Sequence, residues 1–307
     1  MIELKGVTKM YGDLKAVDNL SLQIAEGEIF GFIGPNGAGK TTTIKMLATL
    51  LVPTSGSIRI AGINPEEEPR AVRSTIGYMP DSFGVYPDLA VWEYLDFFGA
   101  AYQIPPNKRN GLIDDVLELT DLTAKKYDLV EALSRGMKQR LCLAKTLLHD
   151  PAILLLDEPA SGLDPRARIE IRELLKELKK MKKTILISSH ILSELSDFCT
   201  SIGIIEKGRL IVSGLISEIE SGINLSRPYR LTSIDPLPLI ETFLRSKGIT
   251  QLDQTDGFLQ FACSQNVEEA AALLSSLVTA GFRITSFQPV SRNLEDLFMR
   301  ITKGEVS

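Results

Sequence analysis

The sequence has few of the residues that build disulfide frameworks or zinc sites. Among its 307 residues are three cysteines and two histidines. The cysteines, Cys142, Cys199 and Cys263, are far apart and odd in number, and no two form a Cys-x-x-Cys pair. This pattern argues against a disulfide framework and a zinc site, and we expect all three thiols to be buried as small hydrophobic residues. Any imidazole chemistry must use His149 or His190, and the loop context of His149 predicts a surface position.

Long hydrophobic runs and a basic excess are also missing. No apolar run approaches the roughly 18 residues that a membrane-spanning helix needs. The first residues have neither the basic start nor the apolar stretch of a signal peptide. With 34 Lys and Arg against 39 Asp and Glu, the net charge is −5, unlike that of a typical nucleic-acid binder. We therefore expect a cytosolic protein that does not bind nucleic acid.

What remains is the composition of a soluble globular protein, with 44% hydrophobic and 24% charged residues. The length predicts two domains, which we place at residues 1–220 and 221–307. Near-continuous apolar strands at residues 28–33, 152–156 and 184–188 favour an α/β fold, with a parallel sheet covered on both faces. The stretch at about 82–150 is mostly helical in pattern, which predicts a helical subdomain inserted into the first domain.

The pattern changes after residue 220. A linker at 221–228 precedes short segments in the order βαββαβ, which predicts a small ferredoxin-like α+β domain. A terminal amphipathic helix is predicted at 293–302. No cluster of His, Cys or paired carboxylates suggests a second active site there, so we interpret this domain as regulatory or dimer-supporting.

Another helix is predicted at residues 166–183. Spacing predicts a buried face and a solvated face that carries the lysines at 176, 179, 180, 182 and 183. The buried face is expected to contain Ile169, Leu174, Leu175, Leu178 and Met181.

The glycine-rich segment at 34–41 has the pattern G-x-x-x-x-G-K-T, between a predicted strand and a helix predicted from Thr42 to Leu51. Backbone N–H groups of such a loop converge on phosphate oxygens, and the helix terminus adds partial positive charge. Lys40 would reach the β and γ phosphates, and the hydroxyl of Thr41 would bind Mg²⁺. The predicted nucleotide-binding residues are Gly34, Pro35, Asn36, Gly37, Ala38, Gly39, Lys40, Thr41 and Thr42.

Two carboxylates follow the apolar strand at 152–156. Asp157 has little reason to be there unless a cation faces it, and nucleotide-bound Mg²⁺ is the obvious candidate. Glu158 points elsewhere, because side chains alternate at a strand end, and it is our candidate general base. A buried ion pair is the alternative role for Glu158.

Three further motifs lie at fitting distances. The segment Leu133 to Arg140 resembles the signature motif of ATP-binding cassette (ABC) ATPases, and residues 161–164 resemble their D-loop, which includes Asp164. His190 resembles their switch histidine, and Tyr11 resembles the aromatic residue that stacks on adenine. The resemblance covers about residues 2–215. Two alternatives stay open: Tyr11 as a turn residue and Ser134 as a helix cap without a ligand.

The resemblance implies a P-loop NTPase fold and an Mg²⁺-dependent ATPase, with ATP and Mg²⁺ as cofactors. In this family two such domains meet head to tail, as a homodimer or a heterodimer. Each ATP then lies between one phosphate loop and the partner's signature, here Ser134, Arg135, Gly136 and Met137. His190 would hydrogen-bond the γ phosphate and orient Glu158 and water.

The sequence departs from the family pattern at two motifs. Asp81 stands where most members have Gln or Glu, so its contact with Mg²⁺ is either direct or through a water. Arg135 and Met137 replace the commoner Gly and Gln of the signature. Ser134 and Gly136, which lie nearest the phosphate in this family, are retained.

Residues 294–301 resemble the closing helix of ATPases that serve ABC-2 type exporters, including the antibiotic-resistance branch. This resemblance implies a separate integral-membrane permease and a peripheral position on the cytoplasmic face of the membrane. Two other functions stay open. One is a non-transport ABC ATPase acting on nucleic acid or ribosomes, and the other is an unrelated P-loop kinase or structural ATP-binding protein.

Overall fold

The computed structural model describes residues 1–82, 84–192, 195, 198–222, 227–249, 252–255, 257–263 and 267–289. They form two compact units, one up to Ile216 and one from Ser217 onward. Within these ranges, none of the helices combines the length and the hydropathy that crossing a bilayer requires.

The first unit contains nine strands and six α-helices among its described residues. In chain order they are β1 (Ile2–Tyr11), β2 (Leu14–Ile24), β3 (Ile29–Ile33), α1 (Lys40–Leu47), β4 (Ser55–Ile60), α2 (Pro69–Thr75), β5 (Ile76–Met79), α3 (Val91–Ala101), α4 (Pro106–Leu119), α5 (Arg135–Leu147), β6 (Ile153–Leu156), α6 (Pro165–Lys180), β7 (Thr184–Ser189), β8 (Ser201–Glu206) and β9 (Arg209–Leu215). Single 3₁₀ turns at Thr123–Lys125 and Val130–Ala132 lead into α5.

A six-stranded sheet in the order β5-β6-β7-β3-β8-β9 forms the centre of this unit. Its first five strands run parallel, and β9 closes the edge antiparallel to β8. Strands β3, β6 and β7 are buried along their whole length. Parallel strands covered on both faces are mostly apolar, as these three are, and the predicted α/β fold is confirmed. The carboxyl ends of β3, β6 and β7 therefore lie side by side, and the candidate site is built there.

A second sheet, in the antiparallel order β2-β1-β4, was not anticipated from the sequence. Its strands alternate poorly between apolar and polar residues, because the pairing of β1 with β2 and β4 is interrupted by several register shifts. Its apolar side chains, including Ile2, Leu4 and Val17, join Phe30 and Phe32 of the central sheet in one hydrophobic core. The two sheets thus share a core.

Helix α1 is shorter than predicted. The pattern placed a helix from Thr42 to Leu51, whereas α1 begins at Lys40 and ends at Leu47. Thr49 adopts a positive φ of 60°, a left-handed conformation that cannot continue a right-handed helix. The backbone geometry therefore ends the helix at Leu47, although apolar residues continue to Leu51.

The predicted buried face of α6 was wrong at two positions. Ile169 and Met181 are 55% and 53% exposed. Ile171, which was not included, is buried and lies in the spacing i, i+3, i+4, i+7 with Leu174, Leu175 and Leu178. Ile169 precedes Ile171 by two residues and so faces the other side of the helix, while Met181 lies beyond the last helical residue.

The predicted surface position of His149 was also wrong. The loop after α5 brings its ring into a stack on Tyr102, with centroids 3.9 Å apart. The ring nitrogen Nε2 lies 2.9 Å from the carbonyl oxygen of Ile76. Burial lowers the pKa of His149 below its usual value. The expected burial of cysteine holds for Cys142 and Cys199, and the side chain of Cys263 lies outside the described residues.

The second unit contains α7 (Ile216–Gly222), which begins at the boundary residue, β10 (Arg227–Ser233), α8 (Leu237–Ser246), β11 (Leu252–Thr255), β12 (Phe258–Cys263), α9 (Val267–Thr279) and β13 (Ile284–Pro289). The order after α7 is the predicted βαββαβ. Its antiparallel sheet has the strand order β11-β12-β10-β13, that of a ferredoxin-like unit. Tyr229, Leu231 and Phe261 pack with Ile240 and Leu244 of α8 in its core. The helix predicted at 293–302 lies outside the described residues.

Candidate active site

The glycine-rich loop connects the end of β3 to the start of α1. Gly39 has a φ of 108°, and a Cβ there would lie 2.5 Å from the carbonyl oxygen of Ala16. At Gly34, a Cβ would collide with the carbonyl oxygen of Ile205. Any side chain at these two positions would clash with backbone, so the tight course of the loop depends on glycine.

Lys40, the first residue of α1, is only 5% exposed. Its ammonium donates to the carbonyl oxygen of Gly34 at 2.6 Å and to that of Pro35 at 3.3 Å. The loop therefore curves around the lysine and holds its charge at the mouth of the predicted phosphate site.

Asp157 follows β6 directly and is 1% exposed. Its Oδ1 accepts a hydrogen bond of 2.7 Å from Ser188, while Oδ2 is buried and has no hydrogen-bond partner among the described residues. Burial raises the pKa of this carboxyl, and the hydrogen bond from Ser188 and the nearby hydroxyl of Thr41 oppose the rise. An orphaned, buried carboxylate oxygen next to a hydroxyl is a suitable donor set for a hard cation such as Mg²⁺, which takes one or two protein oxygens and completes its shell with phosphates and water.

Glu158 lies where Lys40 and His190 meet. Its Oε1 is 3.3 Å from the ammonium of Lys40, and its Oε2 is 2.8 Å from Nδ1 of His190. The backbone of Glu158 has a φ of 50°, uncommon for a residue with a side chain. Because of this left-handed backbone conformation, the carboxylate of Glu158 points in a different direction from that of Asp157.

Ser188 contributes to this site and was missed by the sequence analysis. Its hydroxyl, fully buried near the end of β7, accepts a hydrogen bond of 2.9 Å from the backbone N–H of Glu158 while donating to Asp157. The available signal was a polar residue at the end of an otherwise apolar strand, the same signal that identified Asp157.

Two more predicted residues lie near this group. The charge of Asp81 contributes to the raised pKa of Asp157 and to that of Tyr78, which burial raises to about 12. Asp81 is exposed just beyond β5, the strand next to β6. Thr42 is half-buried in the first turn of α1.

Tyr11 ends β1 and is 46% exposed. The ammonium of Lys9 lies 5.5 Å from the centroid of its ring. An exposed ring at a strand end offers a flat apolar face on which a planar group can stack.

The predicted signature residues begin α5. The Oγ of Ser134 accepts from the N–H of Met137 at 3.3 Å and caps the helix, so the helix-cap role is present. Gly136 packs close to Ala167 of α6, since a Cβ there would lie 3.0 Å from the Ala167 Cβ. Asp164 caps α6 in the same way, with Oδ1 accepting from the N–H of Ala167 at 2.9 Å.

Arg135 extends from the start of α5 to the D-loop. Its Nη2 donates to the carbonyl oxygen of Ser161 at 3.4 Å, and its guanidinium lies against the Cα of Gly162. One turn further on, Gln139 is buried and donates to the carbonyl oxygen of Pro159 at 2.7 Å. Two side chains on one face of α5 thus hold the loop that follows Glu158.

The structure therefore brings Lys40, Thr41, Asp157, Glu158 and His190 together at the ends of neighbouring parallel strands. Ser134, Arg135, Gly136, Met137 and Asp164 form a separate group, at the starts of α5 and α6.

Comparisons with known proteins agree with this geometry. A family model described as ABC transporter matches residues 17–161. Nod factor export ATP-binding protein I of Ralstonia nicotianae is 33% identical over 311 residues, covering 100% of this chain and 95% of that protein. The probable multidrug ABC transporter ATP-binding protein YbhF of Escherichia coli is 38% identical over 221 residues, covering 72% of this chain and 38% of that protein.

Among solved structures, the dimeric post-hydrolysis state of the ATP-binding cassette MJ0796, bound to ADP and Pi, has a TM-score of 0.64 and 28% sequence identity. The match covers 70% of this chain and 99% of that one. Because full-length relatives exceed 30% identity, the sequence and the fold lead to one conclusion: the chain belongs to the ATP-binding proteins of ABC transporters.

Proposed function

We propose that this chain hydrolyses ATP with Mg²⁺ and that the cycle drives a separate membrane permease of the ABC-2 exporter type. The observation that carries the catalytic part is the position of Glu158 between Lys40 and His190. A carboxylate held by a cation and an imidazole at the end of a parallel strand has the setting of a general base.

ATP is placed with its phosphates in the loop of residues 34–41 and its adenine against Tyr11. The N–H groups of the loop and the start of α1 favour negative charge, and Lys40 adds a full positive charge. On phosphate binding, the ammonium of Lys40 exchanges its contacts with the carbonyls of Gly34 and Pro35 for phosphate oxygens.

Mg²⁺ is assigned to Thr41 and Asp157. The Oδ2 of Asp157, which has no hydrogen-bond partner in the described part of the chain, supports this assignment. When bound, the cation neutralises charge on the phosphate oxygens. Asp81 is placed at the outer side of the same site and reaches it directly or through a water. Glu158 accepts a proton from the attacking water, and His190 holds the carboxylate by its bond to Oε2 and contacts the γ phosphate.

The signature residues are assigned to the ATP of a partner subunit. Ser134 and Arg135 are exposed at the start of α5, where the backbone N–H groups favour an anion. A second copy of the chain, placed head to tail, brings each signature to the other's phosphate loop. A related subunit can replace the second copy in a heterodimer.

The partner surface for the permease is placed on the helical subdomain. Tyr86 and Phe97 are each 50% exposed, and their rings pack edge to face with centroids 5.5 Å apart. Exposed aromatic pairs are typical of protein interfaces. Relatives named for Nod factor export and multidrug transport support an exporter role, with the chain peripheral on the cytoplasmic face of the membrane.

One experiment tests the catalytic part. The purified chain should release phosphate from ATP in Mg²⁺ and stop when EDTA is added, and Lys40→Ala should abolish the activity. A control, Lys176→Ala, removes a partly exposed lysine paired with Glu173 and should hydrolyse like wild type. Wild-type chain without Mg²⁺-dependent phosphate release would refute this part.

A second experiment tests the partner. Native complexes extracted in detergent should contain an integral membrane protein. Tyr86→Ser with Phe97→Ser should reduce its recovery. The control is Ile169→Ser, at a residue of α6 that is 55% exposed and lies outside the helical subdomain, and it should not reduce recovery. Recovery of ribosomes without a membrane protein would favour the non-transport alternative.

A further inference from the structure

The side chain of Ser188 hydrogen-bonds to both acidic residues after β6. Its Oγ donates to Oδ1 of Asp157 at 2.7 Å and accepts from the backbone N–H of Glu158 at 2.9 Å. Ser188 is completely buried, so water does not compete for these bonds.

The bond to Asp157 separates the roles of its two oxygens. Oδ1 is occupied by the hydroxyl, and Oδ2 is the buried oxygen without a partner among the described residues. A carboxylate fixed on one side presents its other oxygen in a defined direction. Ser188 therefore fixes the direction in which the second oxygen of Asp157 is presented to a cation.

The bond to Glu158 acts on the backbone. A φ of 50° needs support from the surroundings in a residue that carries a side chain. The N–H of Glu158 is held by Ser188, and its carbonyl oxygen accepts from the N–H of Ser161 at 3.0 Å. These two bonds fix the peptide units on either side of Glu158, and with them the start of its side chain.

We infer that Ser188 is a positioning residue for ATP hydrolysis, whose hydroxyl aligns the carboxylate of Asp157 toward Mg²⁺ and the carboxylate of Glu158 toward water. This inference rests on the proposed function. Partners that orient a metal-binding residue change metal affinity or activity by about 10- to 100-fold when they are removed.

The test compares Ser188→Ala with a matched control. Ser201→Ala removes another buried hydroxyl that donates to a carboxylate, that of Glu28, on a neighbouring part of the same sheet. Ser188→Cys, of nearly the same volume but with a weaker donor, is measured in parallel in case the alanine variant does not fold. Folding is checked by a cooperative thermal transition.

The readout is the dissociation constant of a fluorescent, non-hydrolysable ATP analogue, measured in EDTA and in saturating Mg²⁺. The ratio of the two constants is the affinity gained from the metal. In Ser188→Ala the affinity in EDTA should match wild type, and the gain from Mg²⁺ should fall by about 10-fold or more. Ser188→Cys should lie between the two, and Ser201→Ala should retain the full gain. The hydrolysis rate of Ser188→Ala should fall as well.

A merely structural role predicts a different result. The folded fraction would fall in the variants at position 188, but the folded molecules would keep the wild-type gain from Mg²⁺. That outcome, or an equal loss of gain in Ser201→Ala, overturns the inference. A wild-type chain that gains nothing from Mg²⁺ and hydrolyses no ATP would instead refute the proposed function.

Discussion

Arg135 and Gly162 fit against each other, because the guanidinium of Arg135 fills the space that a side chain on Gly162 would need. A Cβ on Gly162 would lie 2.5 Å from Cζ of Arg135. The commoner signature residue, glycine, would leave this space empty. Arg135, which is larger than the commoner glycine, thus fits because the D-loop has a glycine, Gly162, opposite its guanidinium.

This fit can be tested by a double-mutant cycle in thermal or urea unfolding. Gly162→Ala should destabilise wild type through both its φ of 65° and the clash with Arg135. In the Arg135→Gly background the clash is absent. The loss should then be smaller by about 0.5 kcal/mol, a modest difference because the exposed guanidinium of Arg135 can turn away from the new methyl group. As a control, Gly62→Ala has a φ of 82° and no atom within 4 Å of its Cβ among the described residues, so its effect should not depend on residue 135. Equal losses at Gly162 in both backgrounds would contradict the fit.

Removal of the Glu158 carboxylate charge should separate binding from hydrolysis. In Glu158→Gln, ATP should still bind and dimers should accumulate in ATP and Mg²⁺, while the hydrolysis rate falls by about 10² to 10⁴-fold. Size-exclusion chromatography and phosphate release measure the two effects. Glu177→Gln, which changes an exposed carboxylate paired with Lys180 on α6, is the control. A variant that hydrolyses at a rate near that of wild type would remove Glu158 from its role.

The half-buried ring of His149 should make stability depend on pH. Because its folded pKa is lowered, the unfolded chain binds the proton more readily than the folded chain. The contribution of His149 is therefore full above its unfolded pKa of about 6.5 and declines as the pH falls below that value.

His149→Gln should abolish this part of the acid loss. Urea unfolding between neutral and mildly acidic pH gives the free energy of unfolding of wild type and variant. Titratable groups that both proteins share contribute equally, so the difference between the two curves reports His149. A wild-type curve that declines no more steeply than the variant's would show that the stacked ring does not favour the neutral form.

Truncation after Gly222 should leave nucleotide binding in place, since the phosphate loop, Asp157, Glu158 and His190 all belong to the first unit. Dimer formation or coupling to the permease should weaken if the second unit supports either one. Binding of a non-hydrolysable ATP analogue measures nucleotide binding, and co-purification in detergent measures coupling to the permease. Unchanged transport by the truncated chain would contradict a supporting role for the second unit.

The sequence predicted best where one residue type is required by local geometry. The loop glycines, Lys40 and the two acidic residues after β6 could be recognised because few other residues satisfy the backbone and charge requirements there. The order of elements in the second unit followed from clear changes between strand and helix periodicity.

Prediction failed where contacts distant in sequence decide the outcome. The hydrogen bonds of Ser188 depend on the pairing of β6 with β7, and the stack of His149 depends on Tyr102, which is far from it in the chain. The first antiparallel sheet was missed because its irregular strands alternate poorly. Arg135 could be recognised as unusual from the sequence, but its contact with Gly162 requires the positions of both loops.

The bond between Ser188 and Asp157 also bears on how the sheet assembles. Strands β6 and β7 pair from Ile153 with Thr184 to Leu156 with Ile187, which sets Asp157 next to Ser188. Because the paired stretches of both strands are buried and mostly apolar, burial alone discriminates poorly between this pairing and one displaced along the strand. A displaced pairing would leave the aspartate facing isoleucine or a different serine. The hydrogen bond between Ser188 and Asp157 is made only in the observed alignment, so it adds a preference for that alignment, and the same alignment places both residues in the candidate site.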